Sequence, residues 1–113
     1  MTDEMVESSA AVATDRPGRY AKQLVAHLSR RSAGEWDDEA GTGWIEFDAA
    51  RAELTSGDGV LNLHVRTMPG QVDRYEDVVG RHLVRFGARD ELVVRWVRAD
   101  GTAGTEQRRV DDD

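Results

Sequence analysis

The chain has 113 residues, a formal net charge of −7 and no cysteine. This length fits one domain, and the missing cysteines exclude disulfides, thiolate metal sites, iron–sulfur clusters and a thiol nucleophile. The acidic balance argues against a nucleic-acid partner, because phosphate binding requires a basic surface. No apolar stretch is long enough for a signal segment or a membrane span. We therefore expect a soluble cytoplasmic protein that does not insert into membranes.

The two ends of the chain lack the periodic apolar pattern of a folded element. Residues 1–10 contain three acids, and residues 99–113 run through glycines to three terminal aspartates. Such composition is typical of solvated tails. We predict a disordered acidic tail over residues 1–10, a single α+β domain over 11–98, and a disordered tail over 99–113.

The first half of the predicted domain begins with a short apolar run over residues 11–14, which favours a strand. Asp15 and Pro17 then form a helix-start signal, and the predicted helix continues to about Arg31. Residues 32–43 are predicted to be a loop with an acidic centre. The apolar positions of the helix recur at helical spacing and comprise Tyr20, Leu24, His27 and Leu28.

The second half reads as three strands, a helix and a last strand. Alternating patterns over 44–47, 50–54 and 60–66 predict an antiparallel meander joined by short turns. Thr67 and Pro69 predict the start of a second helix, which Gly87 ends, and residues 91–97 predict the last strand. The order β-α-β-β-β-α-β predicts an α+β two-layer sandwich, with both helices packed on one face of a mainly antiparallel sheet.

One phrase occurs twice in the chain: Arg-Tyr, six residues, His-Leu, one residue, Arg. The two copies are Arg19-Tyr20 … His27-Leu28-Ser29-Arg30 and Arg74-Tyr75 … His82-Leu83-Val84-Arg85. Each copy lies on a predicted helix and follows a Pro-Gly pair. The phrase places a tyrosine and a histidine on the same face of two related helices, so it is the candidate for chemistry in this chain.

Two interpretations of His27 and His82 remain open. In the first, each imidazole belongs to a hydrogen-bonded network with Tyr20 or Tyr75, which would satisfy buried polar groups. In the second, the two rings converge between the helices and bind a ligand, a metal or a haem iron. Two histidines without a nearby acid are a thin ligand set for zinc or non-haem iron, so the metal remains unknown.

The sheet face opposite the helices is a second candidate surface. His64 is predicted to lie there beside Glu53, as a solvent-facing residue. Trp44, Val93 and Val97 would point to the same face. A mixed apolar patch of this kind fits a homodimer interface or a small-molecule platform, and it also fits scattered surface apolarity.

No catalytic motif is present in the sequence. A nucleophile elbow, a phosphate-binding glycine loop, a dinucleotide fingerprint and a His-Glu-x-x-His pattern are all missing. A nucleophile, a base and an orienting group cannot be assembled, so we predict a protein without catalytic residues that is not an enzyme.

The pattern of the ordered part resembles a bacterial family. The stretches that carry the resemblance are Asp15-Arg16-Pro17-Gly18-Arg19-Tyr20, Gln23-Leu24, His27, Val79, His82-Leu83, Arg85-Phe86, Arg89-Asp90-Glu91-Leu92 and Trp96. They resemble the domain of unknown function 2218 family. The resemblance implies a small α+β fold without an established activity, associated with siderophore and iron utilisation.

The resemblance also implies a pattern that this chain only partly keeps. Many members carry Cys-x-His-x-x-His near the end of the first helix, and the corresponding positions here are Val25, His27 and Arg30. Valine cannot coordinate a metal and arginine stays protonated, so two of the three implied ligands are absent.

These observations predict a small non-enzymatic accessory or binding domain linked to bacterial siderophore or iron utilisation, without a cofactor of its own. A siderophore reductase or an iron-uptake protein would be its partner. One alternative is a haem- or metal-binding protein that uses His27 and His82 directly. Another is a homodimeric interaction module that uses the open sheet face.

Overall fold

The computed structural model describes residues 5–108, apart from the side chains of Arg31 and Ala88. Short 3₁₀ turns follow α1, precede α2 and follow α2. The helices and strands are β1 Val6–Ala13, α1 Pro17–Leu28, β2 Ala33–Asp37, β3 Thr42–Glu46, β4 Ala50–Gly57, β5 Val60–Thr67, α2 Val72–Phe86, β6 Val93–Arg98 and β7 Ala103–Arg108.

The strands form one sheet in the order β2-β3-β4-β5-β1-β6-β7. Every neighbouring pair is antiparallel. Strand β1 lies inside the sheet because it pairs with β5 on one side and β6 on the other. Helix α1 packs over β2, β3 and β4, and α2 packs over β7 and the central strands. The predicted α+β two-layer sandwich is confirmed.

Alternation along the strands determines which sheet face is covered. In β1, β4 and β5, every second side chain is buried under the helices, as the pleat of a strand requires. The core between sheet and helices is apolar and includes Val12, Leu24, Ile45, Leu54, Leu61, Leu63, Val65, Val79, Leu83, Val94 and Trp96. We call the opposite, solvent-exposed side of the sheet the open face.

The helix boundaries differ from the sequence prediction by a few residues. Arg16, and not Asp15, occupies the N-cap of α1, and Pro17 lies in the first turn as expected. Thr67 ends β5, where its buried hydroxyl donates to the Ala49 carbonyl at 2.5 Å. Gly87 closes α2 as predicted, with its amide bonded to the Leu83 carbonyl at 3.0 Å.

The loop predicted over residues 32–43 is wrong in its first part, because it contains β2. This strand forms the edge of the sheet and pairs with β3 along its whole length. Its exposed positions carry Glu35 and Asp37, while Gly34 and Trp36 are partly buried. Edge strands commonly carry charges on their solvent side. Because Gly34 has no side chain, Trp36 alone marks the apolar side of β2, and the alternation is too short to predict a strand.

Both predicted tails are partly wrong. Strand β1 starts at Val6, within the predicted acidic tail, and Ser8 and Ala10 are buried there. Strand β7 lies wholly within the predicted C-terminal tail, and it buries Gln107. Small and polar residues occupy the buried positions of these strands, so the hydrophobic pattern that marks a strand is missing. The rest of both predicted tails, residues 1–4 and 109–113, lies outside the described residues.

Candidate functional site

His27 and His82 lie side by side where the end of α1 meets α2. Their ring centroids are 5.1 Å apart, with an angle of 42° between the ring planes. The edge of Phe86 packs against His27, with 5.4 Å between centroids. Both imidazoles are half-buried. The predicted convergence of the two histidines is therefore present in the structure.

A backbone contact fixes the ring of His82. Its Nδ1 lies 2.6 Å from the carbonyl oxygen of Val78, one helical turn earlier. A carbonyl can only accept, so Nδ1 carries the proton, and in the neutral ring the lone pair then lies on Nε2. The same arrangement of one ring nitrogen on a carbonyl is usual for histidines that ligate metals through the other nitrogen.

The surroundings of His27 favour its neutral form. Burial lowers the pKa of His27, and the neighbouring His82, Arg30 and Arg85 lower it further. Neutral imidazole is the form that coordinates a metal or accepts a hydrogen bond. The surroundings thus favour the form of His27 that has a lone pair available for a ligand.

A pocket of about 410 Å³ opens beside the two rings and is lined by His27, Leu28, Arg30 and His82. We call this pocket the histidine cleft. Within the described part of the chain, no group of three or more histidine, cysteine or acidic side chains is placed to hold a metal ion. The cleft therefore offers two imidazole ligands at most, and the guanidinium of Arg30 stands beside them.

The predicted tyrosine–histidine network is wrong, because neither tyrosine bonds to a histidine. The Tyr20 hydroxyl donates to the carboxylate of Asp90, and this raises the pKa of Tyr20, with burial adding to the effect. Tyr75 instead packs against Phe47, with centroids 5.2 Å apart. Residues seven apart on a helix are separated by about 10 Å along its axis, which is too far for direct contact between these side chains.

The open face carries the other predicted site residues, and the structure does not bring them together. Trp44 lies on β3, under the guanidinium of Arg51 at 4.8 Å. Val97 lies on β6 and is 55% exposed, while Val93 is only partly exposed. Four strand spacings separate Trp44 from Val97, about 19 Å. The predicted apolar patch is thus interrupted by polar strands.

His64 lies on the open face as predicted, on β5, between the strands that carry Trp44 and Val97. Its Nε2 is 2.9 Å from the Glu7 carboxylate, and its Nδ1 is 3.8 Å from that of Glu53. Next to it, a shallow groove of about 460 Å³ follows the small side chains Ser9 and Ala11 of β1. The third histidine is therefore remote from the histidine cleft and serves as an internal comparison for it.

Sequence reasoning missed a fully buried carboxylate. Glu76 of α2 is 0% exposed, and it accepts hydrogen bonds from Ser8, Arg98 and Thr105. Burial alone raises the pKa of Glu76, but the bonds from Arg98, Ser8 and Thr105 outweigh it and leave the pKa below its usual value. The signal was an acid inside the apolar stripe of α2, between Val72 and Val79.

The network around Glu76 ties β7 to the rest of the domain. The indole of Trp96 donates to the side-chain oxygen of Gln107 at 2.7 Å, and the amide nitrogen of Gln107 donates to Thr105 at 2.8 Å. Thr105 in turn contacts Glu76. The residues that complete the network lie on β7, in a stretch that the sequence pattern assigned to a tail.

The comparisons with known proteins agree with the fold and the sequence motifs. A family model described as "Uncharacterized protein conserved in bacteria (DUF2218)" matches residues 9–97. The chain belongs to this family. The resemblance stated from the sequence is thereby confirmed, and no curated protein matches the chain.

A solved structure shares the architecture. The NMR structure of PA4090 from Pseudomonas aeruginosa superposes with a TM-score of 0.56 at 24% sequence identity, covering 71% of this chain and 82% of that chain. At this identity the likeness concerns the fold alone. Over residues 5–108, neither helix has the length and apolar character that a membrane span requires.

Proposed function

We propose that this chain is a small, non-enzymatic binding domain of the bacterial cytoplasm that holds a transition-metal ion between His27 and His82. Iron is the metal we favour, since the family resemblance is to proteins associated with siderophore and iron utilisation. A siderophore reductase or an iron-uptake protein would then receive the metal or deliver it. The observation that carries the proposal is the pairing of the two rings, with Nδ1 of His82 on the Val78 carbonyl.

The ring separation fits a shared ion. Two imidazole nitrogens that each lie about 2.1 Å from one ion put their ring centroids roughly 5 Å apart. The observed separation is 5.1 Å. Imidazole suits iron, zinc, copper and nickel, so the donor set selects this group of metals over calcium or magnesium.

A haem fits the cleft less well. A porphyrin would have to lie between the two imidazoles in an apolar slot. The cleft is lined by Leu28 as its one large apolar side chain, together with the charged Arg30. The geometry supports a small ion or ion complex over a haem.

Metal titration followed through the histidine rings tests the proposal. Zinc and anaerobic ferrous iron are added to the protein while ring-nitrogen NMR signals and binding heat are recorded. We expect one equivalent to shift the signals of His27 and His82 together and to leave His64 unchanged.

Variants distinguish this site from adventitious binding. His27→Ala and His82→Ala should each weaken binding by about tenfold or more, because each removes one of two ligands. The matched control is His64→Ala, on the open face, which should bind like the parent chain. Equal binding by parent and His27→Ala/His82→Ala double variant would refute the proposal.

A homodimer through the open face is the second candidate, supported by the 55% exposure of Val97 and the groove beside Ser9 and Ala11. Sedimentation equilibrium over a range of protein concentrations tests it. A dimer that uses this face should dissociate in the Val97→Asp variant and in the Trp44→Asp variant. A mass that stays monomeric at all concentrations would exclude the dimer.

A further inference from the structure

The repeated phrase brings more than its histidines to the cleft. Arg30 and Arg85 are the last residues of the two copies, each three positions after its histidine. Arg30 lines the cleft, and Arg85 follows His82 by three residues on α2, which places both side chains on the same side of that helix. In a chain with a net charge of −7, this cleft is locally basic.

Positive charge beside the two histidines determines whether the cleft prefers a bare metal cation or a negatively charged metal complex. The guanidinium groups would weaken the binding of a bare divalent ion without preventing it, because like charges repel near a protein surface. An ion that carries an anionic chelator would instead be attracted. Guanidinium groups also bind carboxylates through paired N–H donors, which a bare ion cannot use.

The number of metal ligands in the cleft and the volume of the cleft indicate the same class of bound molecule. The described residues supply two imidazoles and no third ligand for an ion in the cleft. The remaining coordination positions have to be filled from outside the described residues. The cleft measures about 410 Å³, which is within the range of small-molecule sites.

We infer that the histidine cleft takes a metal as the complex of a small anionic chelator, with His27 and His82 on the metal and Arg30 and Arg85 on the chelator's acidic groups. This inference rests on the proposed function, since it requires that the imidazoles bind metal. It adds the ligand class: a metal complex with two adjacent open positions and a net negative charge. The chelator supplies the ligands that the described residues lack.

Two nickel complexes of matched geometry and opposite charge test the inference. Nickel nitrilotriacetate and nickel tris(2-aminoethyl)amine each leave two adjacent positions open, but the first is an anion and the second a cation. We expect calorimetry to show about tenfold or more tighter binding of the nitrilotriacetate complex, because the guanidinium groups attract only that complex.

Substitution of the arginines isolates the charge effect. In the Arg30→Gln/Arg85→Gln double variant, the preference should shrink to about threefold or less while nickel remains bound through imidazole. The control is Arg66→Gln on the open face, which should keep the full preference. Circular dichroism confirms that each variant is folded.

The outcomes separate this inference from the proposed function. Equal or tighter binding of the cationic complex would overturn the anionic-chelate inference and leave the metal site intact. A preference that survives the double arginine variant would also overturn it. Failure of both complexes and of nickel chloride to bind would refute the proposed function itself.

Discussion

Ser8 on β1 and Glu76 on α2 are joined inside the domain by a hydrogen bond of 2.6 Å, although 68 residues separate them in the sequence. The Ser8 hydroxyl shares the Glu76 carboxylate with Arg98 and Thr105. One carboxylate thereby connects a helix to three strands of the sheet. This relationship places Glu76 at the centre of a buried polar network beside the apolar core.

Loss of the Glu76 charge should destabilise the domain strongly. The Glu76→Gln variant keeps the shape but leaves Arg98 without its buried partner, at a cost of about 2–4 kcal/mol. Urea unfolding followed by tryptophan fluorescence measures the difference. The matched control, Asp77→Asn, changes an exposed acid on the same helix and should cost about 0.5 kcal/mol or less.

Glu76 also makes the free energy of unfolding depend on pH. Its pKa is lower in the folded protein than in the unfolded chain, so the unfolded state binds more protons as the pH falls. Its contribution is complete above the unfolded value of about 4.3 and is lost as the pH falls through the folded value. The free energy of unfolding should therefore fall less steeply below that pH in Glu76→Gln than in the parent. Identical slopes would contradict this assignment.

Gly104 of β7 should not accept a side chain. A Cβ at this position would lie 2.8 Å from the Cβ of Trp96 and 2.5 Å from a carboxylate oxygen of Glu76. The Gly104→Ala variant is expected to lose about 1–3 kcal/mol through overpacking. In Gly70→Ala, the new methyl group has nothing within 4 Å, so thermal unfolding of this control should match the parent.

The Tyr20–Asp90 bond should contribute to stability and leave metal binding unchanged. Tyr20→Phe removes the hydroxyl and leaves the Asp90 carboxylate without this donor, at an expected cost of about 1–2 kcal/mol. The hydroxyl bonds to Asp90 and to neither histidine, so zinc titration should give the parent affinity. Weakened zinc binding in a folded Tyr20→Phe variant would show that Tyr20 contributes to the binding site.

Much of the fold could be predicted because most of its helices and strands carry apolar residues at a regular spacing. The helices and the strands β3 to β6 carry a clear hydrophobic period. The edge strands β2 and β7 could not be predicted in this way. Their inward positions hold the partly buried Gly34 and Trp36 and the buried Gln107, among acids and small residues. Alternation of apolar and polar residues predicts a strand only where the covered side of that strand carries apolar side chains.

The candidate site could be predicted in part for a similar reason. The repeated phrase identified His27 and His82, and the packing of α1 against α2 brings them together. The partners of Tyr20 could not be predicted, because Asp90 lies 70 residues away and no local pattern indicates the contact. Arg30 and Arg85 occupy equivalent positions in the phrase, but the place of Arg30 in the same pocket as His27 required the structure.

The position of β1 has a consequence for the order in which the domain can form. Strand β1 is synthesised before its partners β5 and β6, and several other elements lie between them in the sequence. Pairs that are distant in sequence form slowly, because a long loop has to close before the contact stabilises it. The meander β2 to β5 pairs strands that are neighbours in sequence, whereas the sheet is continuous only through β1, which joins its two parts.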